Sequence, residues 1–143
     1  MMTRKRNLLA GLAVVALCMA FVPEVSAQQV RLESRFTNAG VDPLASGHAR
    51  YDARGGDRHL RVSVEDVYST DMVFVYAVDP TFTEFIYIGE IWIDPILGFG
   101  GEIDLNTTDG ADVPVLGQDY FIFVHDINDP WPLLLYGDLQ PRP

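Results

Sequence analysis

The chain has few cysteines and few positively charged residues. It has a single cysteine, Cys18, in 143 residues, so no intramolecular disulfide can form. Lysine occurs once, at Lys5, and beyond Arg61 the one basic residue is Arg142. A surface with so few cations repels phosphate backbones and anionic lipid head groups. Nucleic acid is therefore excluded as a partner.

The first 27 residues have the organisation of a secretory signal peptide. Residues 4–6 are basic, residues 8–22 are apolar, and small residues at 25–27 form a cleavage motif. The apolar run is shorter than a membrane span requires, so we expect no membrane span. The sequence predicts cleavage after Ala27 and a mature protein that is secreted, periplasmic or on the cell surface. A lipoprotein anchored through Cys18 is the lesser alternative, because Leu17 is too large for the usual small-residue position.

Residues 28–143 are expected to form one domain. Removal of residues 1–27 takes away three basic residues and one acid, so the net charge changes from −10 to −12. A domain of this length can bury roughly two-thirds of its unfolded surface, and its stability must come from that core. The acidic surface favours solubility outside the cell, and the binding of cations or of a basic partner is the alternative.

The pattern of apolar and turn residues after residue 28 predicts an all-β fold. Residues 72–78 and 85–93 are apolar runs of strand length, rich in β-branched and aromatic residues. No helical periodicity occurs, and four Asp-Pro pairs punctuate the segments. We expect an antiparallel β-sandwich of immunoglobulin-like size, or a small barrel. The predicted strands are 30–37, 46–54, 58–67, 72–78, 85–93, 102–107, 120–124 and 133–139.

The glycine pair before Asp57 predicts a tight hairpin. A loop of residues 55–57 places Arg54 opposite Arg58, with His48 near Val64 and His59 near Ala53. Leu60, Val62 and Val64 then share the inward face, as do Ala49, Tyr51 and Ala53 in the preceding strand. Large apolar residues are expected in the core of the sandwich, including Phe74, Tyr76, Ile88, Trp92, Ile103, Phe121 and Leu135.

Five segments carry a resemblance to a known type of domain. They are SGHARY at 46–51, GGDRHLRVSVEDV at 55–67, GFG at 98–100, LNTTDGADVP at 105–114 and LYGDL at 135–139. Together they resemble a small all-β unit of exported bacterial proteins, and the outline is loosely similar to the CHRD domain family, which also ends in a Gly-x-Leu strand. The resemblance covers about 46–139 and implies the fold. The His-x-His motif of that family is absent here, so no histidine site is implied.

The residue types that usually carry catalysis are few and separated in this sequence. His48, His59 and His125 have no ligand spacing on one strand face, and no mature cysteine could complete a zinc site. Gly-x-Ser-x-Gly is absent, which removes the common nucleophile elbow. Carboxylate pairs are expected by chance among so many acids. The sequence therefore favours a protein that is not an enzyme, with an unrecognised hydrolase as the lesser alternative.

The turn at 104–112 is the candidate metal site. Asp104, Asn106, Asp109 and Asp112 offer the hard oxygen ligands that calcium prefers. Glycine comes one position late for an EF-hand loop, and the twelfth residue is valine. We therefore expect no resident cofactor, with weak Ca²⁺ binding at this turn as the alternative to a plain Asx-rich turn.

Three aromatic residues fall at predicted turns, where large apolar side chains are less expected. Phe82, Phe99 and Trp131 could form a stacking surface for a glycan or an anchor for a protein partner. Capping the ends of the sandwich core is the commoner role. The sequence thus predicts a secreted, non-catalytic binding or structural module whose partner is a protein or glycan at the cell exterior. A calcium-assisted module of the same fold is the alternative.

Overall fold

The computed structural model describes residues 28–128 and 132–143. These residues form an all-β domain, and no α-helix occurs among them. The segment that sequence assigns to the signal peptide, 1–27, lies outside the described residues. The strands are β1 (Gln29–Arg35), β2 (Thr37–Asn38), β3 (Ser46–Arg54), β4 (Asp57–Glu65), β5 (Met72–Val78), β6 (Phe85–Trp92), β7 (Gly101–Asn106), β8 (Phe121–Asp126), β9 (Leu133–Asp138) and β10 (Gln140–Pro141).

The strands form two five-stranded sheets with antiparallel pairing. The first sheet has the order β10-β1-β3-β4-β7, and the second has the order β2-β9-β8-β5-β6. The sheets do not close into a barrel within the described residues, so the sandwich prediction is confirmed and the small-barrel alternative is wrong. The predicted strand 30–37 divides at Phe36, because β1 pairs in the first sheet and β2 pairs in the second. No helix in the described part of the chain is long and apolar enough to cross a membrane.

The core lies between the two sheets and is mainly aliphatic. In the first sheet Leu60, Val62 and Val64 are buried, as the alternation of the sequence predicts. In the second sheet the inward positions hold small or branched residues, such as Val73, Val75 and Ala77 of β5. The other buried side chains of the core are Leu32, Ala45, Ala49, Tyr51, Val67, Ile91, Ile103, Val113, Leu116, Ile122, Val124, Leu134, Leu135 and Leu139.

The expectation that the large aromatic residues fill the core is wrong for the second sheet. Ile103 and Leu135 are buried, and Ile88 packs against the core. Trp92 is 67% exposed, and the aromatic rings on β5 and β8 are only partly buried. Their side chains point outward because the aliphatic residues at alternate positions point inward. The sheet is apolar on both faces, and ring size does not decide which face is buried.

The first hairpin has a different register from the predicted one. Its turn contains two residues, Gly55 and Gly56, both with positive φ, and Arg54 pairs with Asp57 instead of Arg58. A two-residue turn of this kind matches the right-handed twist of the flanking strands. The whole pairing therefore shifts by one residue, so that His48 lies opposite Ser63.

Candidate functional site

The outer face of the second sheet carries most of the aromatic residues of the chain. We call this surface the aromatic face. Strand register places two or more large apolar side chains from each of β5, β6, β8 and β9 on it. Its aromatic residues are Phe74, Tyr76, Phe85, Tyr87, Trp92, Phe121, Phe123 and Tyr136, and Phe82 from the β5–β6 turn joins them.

A row of four aromatic residues crosses the aromatic face at right angles to the strands. Tyr76 pairs with Tyr87 on one side and with Phe123 on the other, and Phe123 pairs with Tyr136. The ring centroids of Tyr76 and Tyr87 are 5.4 Å apart with tilted planes, a spacing typical of favourable aromatic pairs. Tyr87 is 53% exposed, so these rings support one another and still offer contact area to a ligand.

The β5–β6 turn holds Phe82 against the aromatic face. The Asp79 carboxylate accepts hydrogen bonds from the backbone N–H groups of Thr83 at 2.8 Å and Glu84 at 2.6 Å, and from the Thr81 hydroxyl. The bond from the Thr81 hydroxyl, with the backbone bonds, lowers the pKa of Asp79 well below its usual range. Phe82 has a φ of +57°, and its ring centroid lies 5.1 Å from that of Phe121.

The charged residues on the aromatic face are acidic. Glu90 lies opposite Phe74 in the register, and Asp138 lies opposite Phe121. Burial, followed by the nearby charge of Glu90, raises the pKa of the Tyr87 hydroxyl. No arginine or lysine stands on this face among the residues that the structure describes. The surface therefore combines aromatic rings with carboxylates.

The outer face of the first sheet is different, because it carries paired charges of both signs. We call it the charged face. Arg61 donates to Asp104 at 2.6 Å, and this hydrogen bond lowers the pKa of Asp104. Arg31 lies 3.4 Å from Asp52, measured from Nε to the carboxylate. These pairs are largely exposed, so each contributes little to stability.

The candidate calcium ligands are spread along the β7 end and the following 3₁₀ turn, Thr107–Asp109. Asp104 is held by Arg61 and by His59, whose Nε2 lies 2.5 Å from its Oδ1. The Asn106 side chain caps the turn by accepting from the Thr108 N–H at 3.0 Å, and Asp109 and Asp112 are exposed. Among the described residues no group of three or more His, Cys, Asp or Glu side chains is placed to hold one ion. Weak calcium binding at this turn stays a prediction.

The three histidines lie in separate places. His59 belongs to the charged face, and His125 lies on the aromatic face with its ring 5.9 Å from that of Tyr76. His48 lines an open cleft of about 500 Å³ that Glu33, Arg35 and Glu65 also line. The structure gives His48 no hydrogen bond to either glutamate, so the described part of the cleft contains no assembled acid–base pair.

The three candidate turn aromatics do not form one site. Phe82 lies on the aromatic face, whereas Phe99 lies at the opposite end of the sandwich with its ring 4.5 Å from that of Tyr68. Trp131 lies outside the described residues. Near Phe99 the 3₁₀ turn Pro95–Leu97 leaves Ile96 92% exposed. We call this region, with Val41, Leu44, Tyr68, Leu97 and Phe99, the loop end.

Sequence reasoning found Phe82 and missed the rest of the aromatic face. A signal was present in the alternation of β5 and β8. Aliphatic residues occupy one parity, Val73 and Val75 or Ile122 and Val124, and aromatic residues occupy the other. Consistent sorting of this kind assigns the aliphatic residues to one face of a sheet. Comparison of the chain with family models, with curated proteins and with solved structures gave no match.

Proposed function

We propose that the mature chain is a non-catalytic binding module that works outside the cytoplasm and contacts its ligand through the aromatic face. One observation carries the proposal, namely the contiguous set of partly exposed rings on the outer side of the second sheet. A sandwich needs apolar residues only on its two inner faces. Large contiguous apolar patches on a soluble protein usually mark interaction sites.

The chemistry of the rings also supports a binding role. Tyr76, Tyr87 and Tyr136 combine an apolar ring with a hydroxyl that can bond to a ligand. They stand on three strands of one sheet, β5, β6 and β9, so their backbone positions are fixed before a ligand arrives. Ligand binding at such a surface costs little conformational entropy. The face offers contact area and hydrogen-bonding tips rather than paired acid and base groups.

A titration followed by aromatic ¹H–¹³C NMR tests the proposal. The probes are neutral oligosaccharides, an acidic peptide and a basic peptide, each added separately to the mature protein. We expect at least one probe to shift the ring resonances of the aromatic face in a saturable way. Tyr87→Leu should weaken the binding of that probe, whereas Tyr68→Leu should leave the binding unchanged. The two tyrosines are matched because each is 53% exposed.

Two outcomes would contradict the proposal. One is saturable binding whose shifts map to the charged face or the loop end. The other is the absence of saturable binding by any probe in the panel. Both outcomes would leave the fold intact and would reduce the aromatic face to a structural covering of the sheet.

Export is a separate part of the proposal. The basic, apolar and small-residue order of residues 1–27 supports cleavage after Ala27. N-terminal sequencing of the exported protein should therefore begin at Gln28. A lipid-modified product that begins at Cys18 would establish the lipoprotein alternative instead.

A further inference from the structure

The positive charges of the domain are confined to one side of the sandwich. Six arginines lie on β1, β3 and β4. The seventh, Arg142, follows β10, and its backbone N–H donates to the Arg31 carbonyl at 2.9 Å. The aromatic face has Glu90 and Asp138 among its rings, and the exposed Glu84 directly precedes β6. The two outer surfaces thus differ in charge as well as in ring content.

A surface of aromatic rings and carboxylates has a definite chemical preference. A guanidinium or ammonium group is attracted to the face of a tyrosine or phenylalanine ring by the ring quadrupole. A carboxylate beside the ring adds Coulomb attraction to the same cation. On the aromatic face the two occur together, because Glu90 lies opposite Phe74 and is near Tyr87. No arginine or lysine among the described residues stands on that face, and His125 is its one imidazole.

We infer that the ligand of the aromatic face is a cationic polypeptide segment whose arginine or lysine side chains lie over its rings and beside Glu90 and Asp138. This inference rests on the binding function proposed above. The row of rings crosses four strands, which spans roughly 15 Å at the usual strand spacing. A single small cation would cover one part of that row, whereas an extended segment of about five residues matches its length.

A second copy of this chain is the weaker candidate for the same surface. The side chains of five of its seven arginines already have a partner among the described residues, for example Arg50 with Glu33 at 3.9 Å and Arg61 with Asp104 at 2.6 Å. Each mature copy carries a net charge of −12, which is the −10 of the chain less the +2 of residues 1–27. Two such copies repel one another. The acidic surplus instead attracts a basic partner and speeds its encounter with the domain.

The test uses fluorescently labelled peptides with the mature protein. A peptide of about nine arginines, which spans roughly 30 Å when extended, is compared with lysine and neutral Gly-Ser peptides of the same length. Binding is measured by anisotropy at about 50 mM and about 300 mM salt. We expect saturable binding of the arginine peptide, weaker binding at high salt, and no binding of the neutral peptide.

Matched variants separate binding at the face from general charge attraction. Glu90→Gln and Glu65→Gln remove the same charge from exposed positions on opposite sheets. Tyr87→Leu and Tyr68→Leu remove rings of equal exposure. Loss of one ring or one carboxylate on the face should raise the Kd of the arginine peptide about two- to fivefold. The control variants Glu65→Gln and Tyr68→Leu should change the Kd less. If Tyr87→Leu does not fold, Phe85→Leu tests the ring instead.

Each contrary outcome has a distinct meaning. Equal weakening by Glu65→Gln and Glu90→Gln, with no effect of Tyr87→Leu, would overturn the inference in favour of non-specific attraction. Absence of arginine-peptide binding would also overturn it. If a neutral oligosaccharide then binds and depends on Tyr87, the proposed binding function stands without a cationic ligand. Concentration-dependent self-association in sedimentation, lost in Tyr87→Leu, would show that a second copy is the occupant.

Discussion

Two neighbouring residues of β8 provide the sharpest test of which face of the second sheet is buried. Ile122 is fully buried between the sheets, and Phe121 lies on the aromatic face with its ring partly exposed. The perturbations are Ile122→Ala and Phe121→Ala, each made alone in a chain of residues 28–143. Because the residues are adjacent, local strand propensity and distance from the chain ends are nearly the same for both.

The expected magnitudes follow from the surroundings of each side chain. The cross-strand neighbours of Ile122 are Ala77 and Gly137, which are too small to fill the space that truncation leaves. Truncating a buried isoleucine to alanine costs about 2–5 kcal/mol, and we expect a cost in the upper half of this range, about 4 kcal/mol. Phe121 is only partly buried, and its ring contacts those of Phe82 and Phe123. We expect its loss to cost about half of the range of about 3–5 kcal/mol for a buried phenylalanine, or about 2 kcal/mol.

Equilibrium unfolding in urea measures both values. Domains of this size have a total stability of about 5–15 kcal/mol, so both losses are large enough to measure. Because the expected cost of Ile122→Ala is twice that of Phe121→Ala, it should move the urea midpoint roughly twice as far at constant m. Circular dichroism is the readout, because fluorescence would respond to Trp92 on the same face. A Phe121→Ala midpoint at or below that of Ile122→Ala would show that the ring belongs to the core. The aromatic face would then be wrongly assigned, and the proposed binding surface with it.

Three further outcomes are expected. The hydrogen bonds that lower the pKa of Asp79 stabilise the fold above about pH 4, and this stabilisation is lost as the pH falls. The melting temperature should therefore fall more in the wild type than in Asp79→Asn when the pH is lowered from about 5 to about 2.5. Tyr51→Phe leaves the buried N–H of Leu116 without its acceptor and should cost about 1–3 kcal/mol in urea unfolding, and an unchanged midpoint would contradict this role. Because Arg61 occupies Asp104, wild-type melting should respond alike to calcium and magnesium at constant ionic strength, whereas Arg61→Ala should respond more to calcium. An equal response of Arg61→Ala to calcium and magnesium would exclude the turn as a calcium site.

The four longer strands of the first sheet, β1, β3, β4 and β7, could be predicted from sequence because their residues alternate, whereas the two-residue β10 was not predicted. In β4 Leu60, Val62 and Val64 alternate with polar residues, and a period of two assigns them to one face. The register was harder to predict, because it depends on whether the Gly55–Gly56 turn has two or three residues. A difference of one residue in the turn moves every partner along β3. That choice is a matter of backbone geometry, and the glycines are compatible with both.

The aromatic face could not be predicted from any single strand. In β5 both parities are apolar, with Val73 and Val75 on one and Phe74 and Tyr76 on the other. Burial of the larger rings would remove more apolar area from water, so local reasoning favours them as core. The packing distance between sheets is fixed for the whole sandwich at about 10 Å, and aliphatic residues of the facing sheet fill it. Which parity is inward is therefore decided by the sandwich rather than by the strand.

The same geometry indicates how a ligand would contact this sheet. The strand at its margin is β6, which ends the sheet and is apolar for most of its length. Open edges of this kind invite pairing with a strand from another chain. In β6, however, Ile88 has no partner on β5, and Gly89 has a φ of +155°, so a β-bulge interrupts the edge. A bulge limits the run of regular backbone that an added strand could use. Contact through the side chains of Tyr87 and its neighbours is therefore favoured over backbone pairing, and that is the contact that rings and carboxylates on an outer face are suited to make.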